Sequence, residues 1–108
     1  MVKMDQNGHI YWVKGDTFYF NLIAQENSTP IDFTNWHIKF IVYDHNDDIK
    51  FILDETNGID LSTPGLIKFS KDLSTINIER GKYKYDLIVT RANGIIETWL
   101  NNKSFMVE

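Results

Sequence analysis

The stretch Asp44-His45-Asn46-Asp47-Asp48 puts oxygen-bearing side chains at alternate positions, as at the start of a calcium loop. Glu55 falls at the twelfth position of the same count. The sixth position is Ile49, however, where the sharp turn of such a loop needs glycine. Ile49 to Leu53 also alternates like a strand, which would carry Glu55 away. The segment therefore reads as a solvated hairpin tip, and no metal is expected there. His9, His37 and His45 are too far apart in sequence to make a helical or short-loop metal pair. Cysteine is absent, which removes thiolate ligands and disulfides. No glycine pattern marks a nucleophile elbow or a phosphate loop. The residues thus predict no catalytic group and no cofactor, and the chain reads as a non-enzyme.

Tyr83 and Tyr85 invite a second chemical reading, as catalytic or ligand-stacking phenols. Their charged neighbours, Lys82, Lys84 and Asp86, alternate onto the other face of the strand and are not placed to activate a phenol. The architectural reading is stronger. Ile78, Gly81 and Tyr83 have the spacing of a tyrosine corner, in which the hydroxyl reaches back to a backbone group a few residues upstream. Gly81 would relieve the turn. Tyr85, on the same face, would fill the core or reach its edge. In Pro30-Ile-Asp-Phe-Thr-Asn-Trp36, the Asp32 carboxylate is placed to accept a hydrogen bond near Thr34. That Asx-turn would aim the chain into a strand opened by Trp36, a core anchor.

The elements that must hold these residues alternate with a period of two. Phe18, Phe20, Leu22 and Ala24 share one face of a strand; Trp36, Ile38, Phe40 and Val42 share another; so do Tyr83, Tyr85, Leu87 and Val89. Gln25 to Pro30 reads as a loop, and Lys71 to Asn77 as a short helical turn. Arg-Ala-Asn93-Gly94 signals a tight hairpin. The last segments, Ile95 to Leu100 and Lys103 to Val107, fit one strand with a break. No sustained helical period appears. Seven or eight short strands predict an all-β sandwich or barrel, a single domain over residues 1–108.

Composition narrows the partners. Fifteen acidic residues against eleven basic ones leave a net charge of −4. The signs are interleaved, without the basic patch a nucleic acid would require. No apolar run is long enough for a membrane span, and the first residues lack a signal-peptide core. His9–Val13 and Ser104–Val107 are expected at sheet edges, because terminal strands often lie there. Both carry large apolar side chains: Tyr11, Trp12, Phe105 and Met106. With Trp99, these are the expected interface residues. For Trp12 and Trp99, core packing is the competing assignment.

Four pieces stand in order: Gly15 to Leu22, Pro30 to Val42, Gly81 to Thr90, and Asn93 to Glu108. Together they resemble a small Ig-like domain of tailed-bacteriophage structural proteins, similar to the N-terminal domain of baseplate upper proteins. Phe33 and Asn35 stand where that pattern has leucine and glycine, and Asn101-Asn-Lys-Ser104 replaces a glycine before the last strand. The resemblance implies an antiparallel Ig-like β-sandwich. It also implies a virion component of the baseplate, tail or fibre attachment, made in the bacterial cytoplasm and docking to other virion proteins. A homo-oligomer stays open. The rival expectation is a carbohydrate-binding or adhesin module, which an exposed aromatic pair beside Asn101 and Asn102 would favour.

Overall fold

The computed structural model describes residues 2–108. The alternating segments become strands, which run β1 (Val2–Met4), β2 (Ile10–Trp12), β3 (Phe18–Ile23), β4 (Gln25–Glu26), β5 (Thr29–Pro30), β6 (His37–Tyr43), β7 (Ile49–Asp54), β8 (Ile59–Asp60), β9 (Leu66–Lys71), β10 (Gly81–Thr90) and β11 (Ile96–Val107). They form an all-β sandwich. One sheet has the order β1-β2-β11-β10-β6-β7 and the other β3-β9-β8, with β4-β5 as a separate hairpin. Eleven strands replace the expected seven or eight because β1, β4, β5 and β8 are pieces of two or three residues. Neighbours are antiparallel with one exception: β2 runs parallel to β11, Ile10 opposite Phe105 and Trp12 opposite Val107.

Side chains facing inward from both sheets make one core. Trp12, Phe18, Phe40, Phe69, Tyr85 and Phe105 are its largest fully buried members. Phe18 sits among the other phenylalanines, 5.7 Å from Phe40, 6.0 Å from Phe69 and 5.8 Å from Phe105 between ring centroids. Offset and edge-on ring contacts of this kind add to the stabilisation from area burial. The even-numbered face of β3 and the Ile38–Phe40–Val42 face of β6 point inward, as their alternation predicts.

Turn chemistry joins the strands. Gln25 to Pro30 is a hairpin rather than a loop. Its central residues, Asn27 and Ser28, both take positive φ, +52° and +65°, as a type I′ turn requires. Serine there hides the usual Asn-Gly signal. The hairpin is tied to the sandwich through three backbone bonds: Ala24 N–H to Gly65 O (2.8 Å), Gly65 N–H to Ile31 O (2.8 Å) and Ile31 N–H to Ala24 O (3.2 Å). The expected helical turn after Lys71 is a tight turn, closed by Ile76 N–H to Leu73 O at 3.0 Å. In the Arg91–Ile95 connection, Gly94 alone takes positive φ (+90°). Asn93 instead uses its side chain to accept the Ile95 N–H.

Aspartates cap many of the turns. Asp5, Asp32, Asp44, Asp54, Asp60 and Asp72 each accept the N–H two residues on. All six are held below the ordinary carboxylate range. The leading cause is the hydroxyl of Thr34, Thr56 or Ser62 for Asp32, Asp54 and Asp60, and the N–H of His9, Asp48 or Ser74 for Asp5, Asp44 and Asp72. A depressed folded pKa means stability that is complete above the unfolded value, about 3.9 for aspartate, and lost as pH falls through the folded values. The melting temperature is therefore expected to hold from pH 7 to about pH 5 and to fall steadily below about pH 4. A calorimetric pH series checks this. An unchanged melting temperature down to pH 2 would show that the caps contribute nothing.

Candidate functional site

The sandwich has two distinct ends. Val2, Trp12, Val107 and Gly81 lie in one row across β1, β2, β11 and β10. His37, Thr90 and Ile96 form the row at the opposite end. The ten residues of β10 separate the rows by roughly 30 Å. The described chain therefore enters and leaves at one end and turns back at the other.

The entry end is architectural. The Tyr83 hydroxyl donates to Glu79 O at 2.8 Å, across the arch that leads into β10. Gly81 adopts φ +150° in open space, so backbone conformation alone favours glycine there. Tyr83→Phe is expected to cost about 1 kcal/mol, one hydrogen bond with the packing kept; paired urea melts of variant and parent measure it. Tyr85 is fully buried, and its hydroxyl donates to Gly8 O. Burial, and secondarily the charge of Asp5, push its ionisation well above the ordinary tyrosine range. Such a phenol is a packed neutral donor. At the opposite end, Asp32 accepts both the N–H (3.0 Å) and the hydroxyl (2.7 Å) of Thr34, making the Asx-turn into β6, with Asn35 at φ +65°.

The expected interface residues separate by face. Trp12 and Phe105 are buried core side chains, 1% and 0% exposed, and their assignment to an interface is corrected. Trp12 also donates its indole N–H to Asp16 O at 2.9 Å. Tyr11 and Met106 lie opposite each other on the outer face and are half-buried. The edge assignment is corrected too. β2 lies between β1 and β11, and β11 between β2 and β10, so the edges of the large sheet are β1 and β7. A strand late in the chain has been drawn into the middle of the sheet by pairing on both sides.

Trp36 and Trp99 come together at the far end. Neither is fully buried, so Trp36 caps the core rather than anchoring it. Their rings meet edge to face, centroids 5.9 Å apart, and Phe33 packs against Trp36 at 5.2 Å. Trp99 reaches this position because β11 carries register irregularities opposite Tyr85–Leu87 and Leu87–Ile88. Bulges of that kind re-aim side chains. The first leaves Asn102 at φ +59°, its N–H donating to the Asp86 carboxylate at 2.7 Å. The Tyr43 hydroxyl lies 3.0 Å from both Asp86 and Asn102. Burial first, then the Asp86 carboxylate, push that phenol up to about 12.

Arg91 organises the cluster. Its guanidinium stacks over Trp36 at 4.9 Å, donates from Nε to Glu97 Oε1 at 2.7 Å, and donates from Nη2 to Glu26. Glu97 also accepts the Trp99 indole N–H at 3.2 Å. Arg91 first, and Trp99 second, hold the Glu97 carboxyl below its ordinary range. An open cleft beside these groups is bounded by Ile23, Ile31 and Thr98. On the neighbouring face, Glu55 accepts from Ile38 N–H at 3.2 Å and pairs with His37. Partial burial opposes ionisation of Glu55, but these bonds outweigh it and lower its pKa.

Chemically, the cluster is closed upon itself. The guanidinium is occupied by two carboxylates and a ring. Among the described residues, no three histidine or acidic side chains converge as a metal site. What the far end does offer is apolar surface: Ile23, Ile95 and Ile96 are 77%, 53% and 69% exposed. Sequence reading passed over Arg91, Glu26 and Glu97. Glu26 and Arg91 are 65 residues apart, and no local spacing announces their contact. Comparison with family models, curated proteins and solved structures gives no match for this chain.

Proposed function

We propose that this domain is a non-enzymatic structural component of a tailed-phage virion, in the baseplate, tail or fibre attachment, and that it works by docking to neighbouring virion proteins. The observation that carries the docking part is the exposure of Ile95 and Ile96 where the chain turns back, and of Ile23 in the cleft beside Arg91, at the end farthest from Val2 and Val107. Aliphatic side chains gathered at one end favour burial against another protein. The virion part rests on the four-piece likeness, whose Asx-turn and tyrosine-corner residues hold the strands.

The tryptophans weigh against a sugar-binding platform. Trp12 is buried, Arg91 covers Trp36, and Trp99 packs edge-on against Trp36. A carbohydrate would need an aromatic face laid open. Mass spectrometry of purified particles of the phage that encodes the chain tests the proposal. The expected result is a fixed stoichiometry with tail proteins. Recovery only in the unassembled soluble fraction would overturn it.

A further inference from the structure

The end of β3 and the middle of β11 face one another across one side of the sandwich, next to β1, which packs on β3. β3 is hydrogen-bonded to β9 and, among the described strands, to no other. β11 is flanked by β2 over Phe105–Val107 alone. Gly8, in the β1–β2 turn, comes up against Leu100 and Lys103. On the side away from β10, Ile96–Trp99 therefore has no described strand beside it. Between the two edges lies a cleft of about 290 Å³, with Met4, Leu22, Trp99 and Leu100 in its walls and the core residues Ile67 and Leu87 behind them. The four wall residues are partly exposed although each packs on the core.

This cleft adjoins the one beside Arg91, with Ile23, Ala24 and Trp99 lining both. An apolar groove thus lies next to a charged end. There Glu26 and Glu97 share a single guanidinium, and the three groups together carry one net negative charge.

We infer that this groove accepts an extended segment of a partner protein as an added strand, with apolar side chains seated between Leu22 and Trp99 and a lysine or arginine at the Glu26–Glu97 end. The inference rests on the docking reading and names its partner surface. Three features select that occupant. Unpaired strand edges offer backbone donors and acceptors that an extended chain complements. The cleft is at the low end for a small-molecule pocket but has room for a few side chains. The residual negative charge selects a basic partner.

The test uses a displayed library of random octapeptides selected on the immobilised domain. Enriched peptides are synthesised and titrated calorimetrically against the parent and against Glu26→Lys. Peptides alternating apolar and polar residues, with a basic residue at one end, are expected. Glu26→Lys should weaken them at least tenfold while leaving the thermal melt nearly unchanged, because Glu26 is exposed. Amide exchange followed by NMR should slow at Ile96–Trp99 or Tyr19–Ile23 on saturation. No enrichment, an unchanged affinity for Glu26→Lys, or protection confined to other strands each overturns the inference. Particle composition judges the docking reading separately. A chain stoichiometric in particles that captures no such peptide keeps that reading and loses the groove.

Discussion

Alanine in place of Gly65 is expected to cost about 3–5 kcal/mol, a large share of what holds a domain of this size folded. Two effects add. Gly65 has φ +79°, where a side chain strains the backbone. A Cβ built there would stand 2.7 Å from the Pro30 Cβ, too close to be relieved by a rotamer change, since proline has none to offer. Relief must come from backbone movement, and that backbone carries the three bonds joining Ala24, Ile31 and Gly65. Gly94→Ala is the control. It has a similar φ, +90°, but nothing within 4 Å of its added Cβ, so strain alone should cost about 1 kcal/mol. Urea melts of both variants separate the contributions. Equal losses would mean that the β4–β5 hairpin yields freely and that the Pro30 contact carries no weight.

Trp12→Ala is the second large effect, about 3–5 kcal/mol, as for other buried aromatics. The indole is 1% exposed, and its N–H bond to Asp16 O holds the chain leaving β2. A surface role would predict near-wild-type stability with altered association, whereas a core role predicts an early urea midpoint. Tyr11→Ala, on the opposite face of the same strand, should cost distinctly less. A Trp12→Ala midpoint equal to that of the parent would overturn the burial assignment.

Trp12 also shows where the sequence stops being informative. Period-two alternation marks which side chains share a face, and it serves well for β3, β6 and β10, where the apolar face is unbroken over six to ten residues. β2 has only three residues, too few for the pattern to point either way. In β11, the bulge at Asn102 moves the inward set from Leu100 to Phe105 and Val107, so parity counted from either end misplaces the other. Sheet order depends on pairings distant in sequence, such as β2 with β11, which leave no local trace.

Local turn chemistry was the most legible part. Asp32 accepts from Thr34 and the Tyr83 hydroxyl donates to Glu79 O, each within four residues in sequence, so their spacing alone carries the geometry. The Arg91 cluster lies at the other extreme. Arg91, Glu97 and Trp99 share the β10–β11 hairpin, but Glu26 and Trp36 come from segments far away in sequence, and their arrival beside Arg91 is a product of the completed sandwich.

The parallel pairing of β2 with β11 sets how the domain answers to force. Pulled apart at residues 2 and 107, β1 would unzip from β2 first, because the load enters at Val2 and breaks one residue pair after another. The pull then passes to β2 at Ile10 and to β11 at Val107, opposite ends of a parallel pair. Tension now runs along the strand axes, and the hydrogen bonds between them resist in shear, together rather than in turn. Glu108 N–H to Trp12 O and Lys14 N–H to Glu108 O, both 2.8 Å, lengthen that clamp. Single-molecule stretching should therefore record a weak early yield followed by a much stronger one, as the sheared pair gives way all at once.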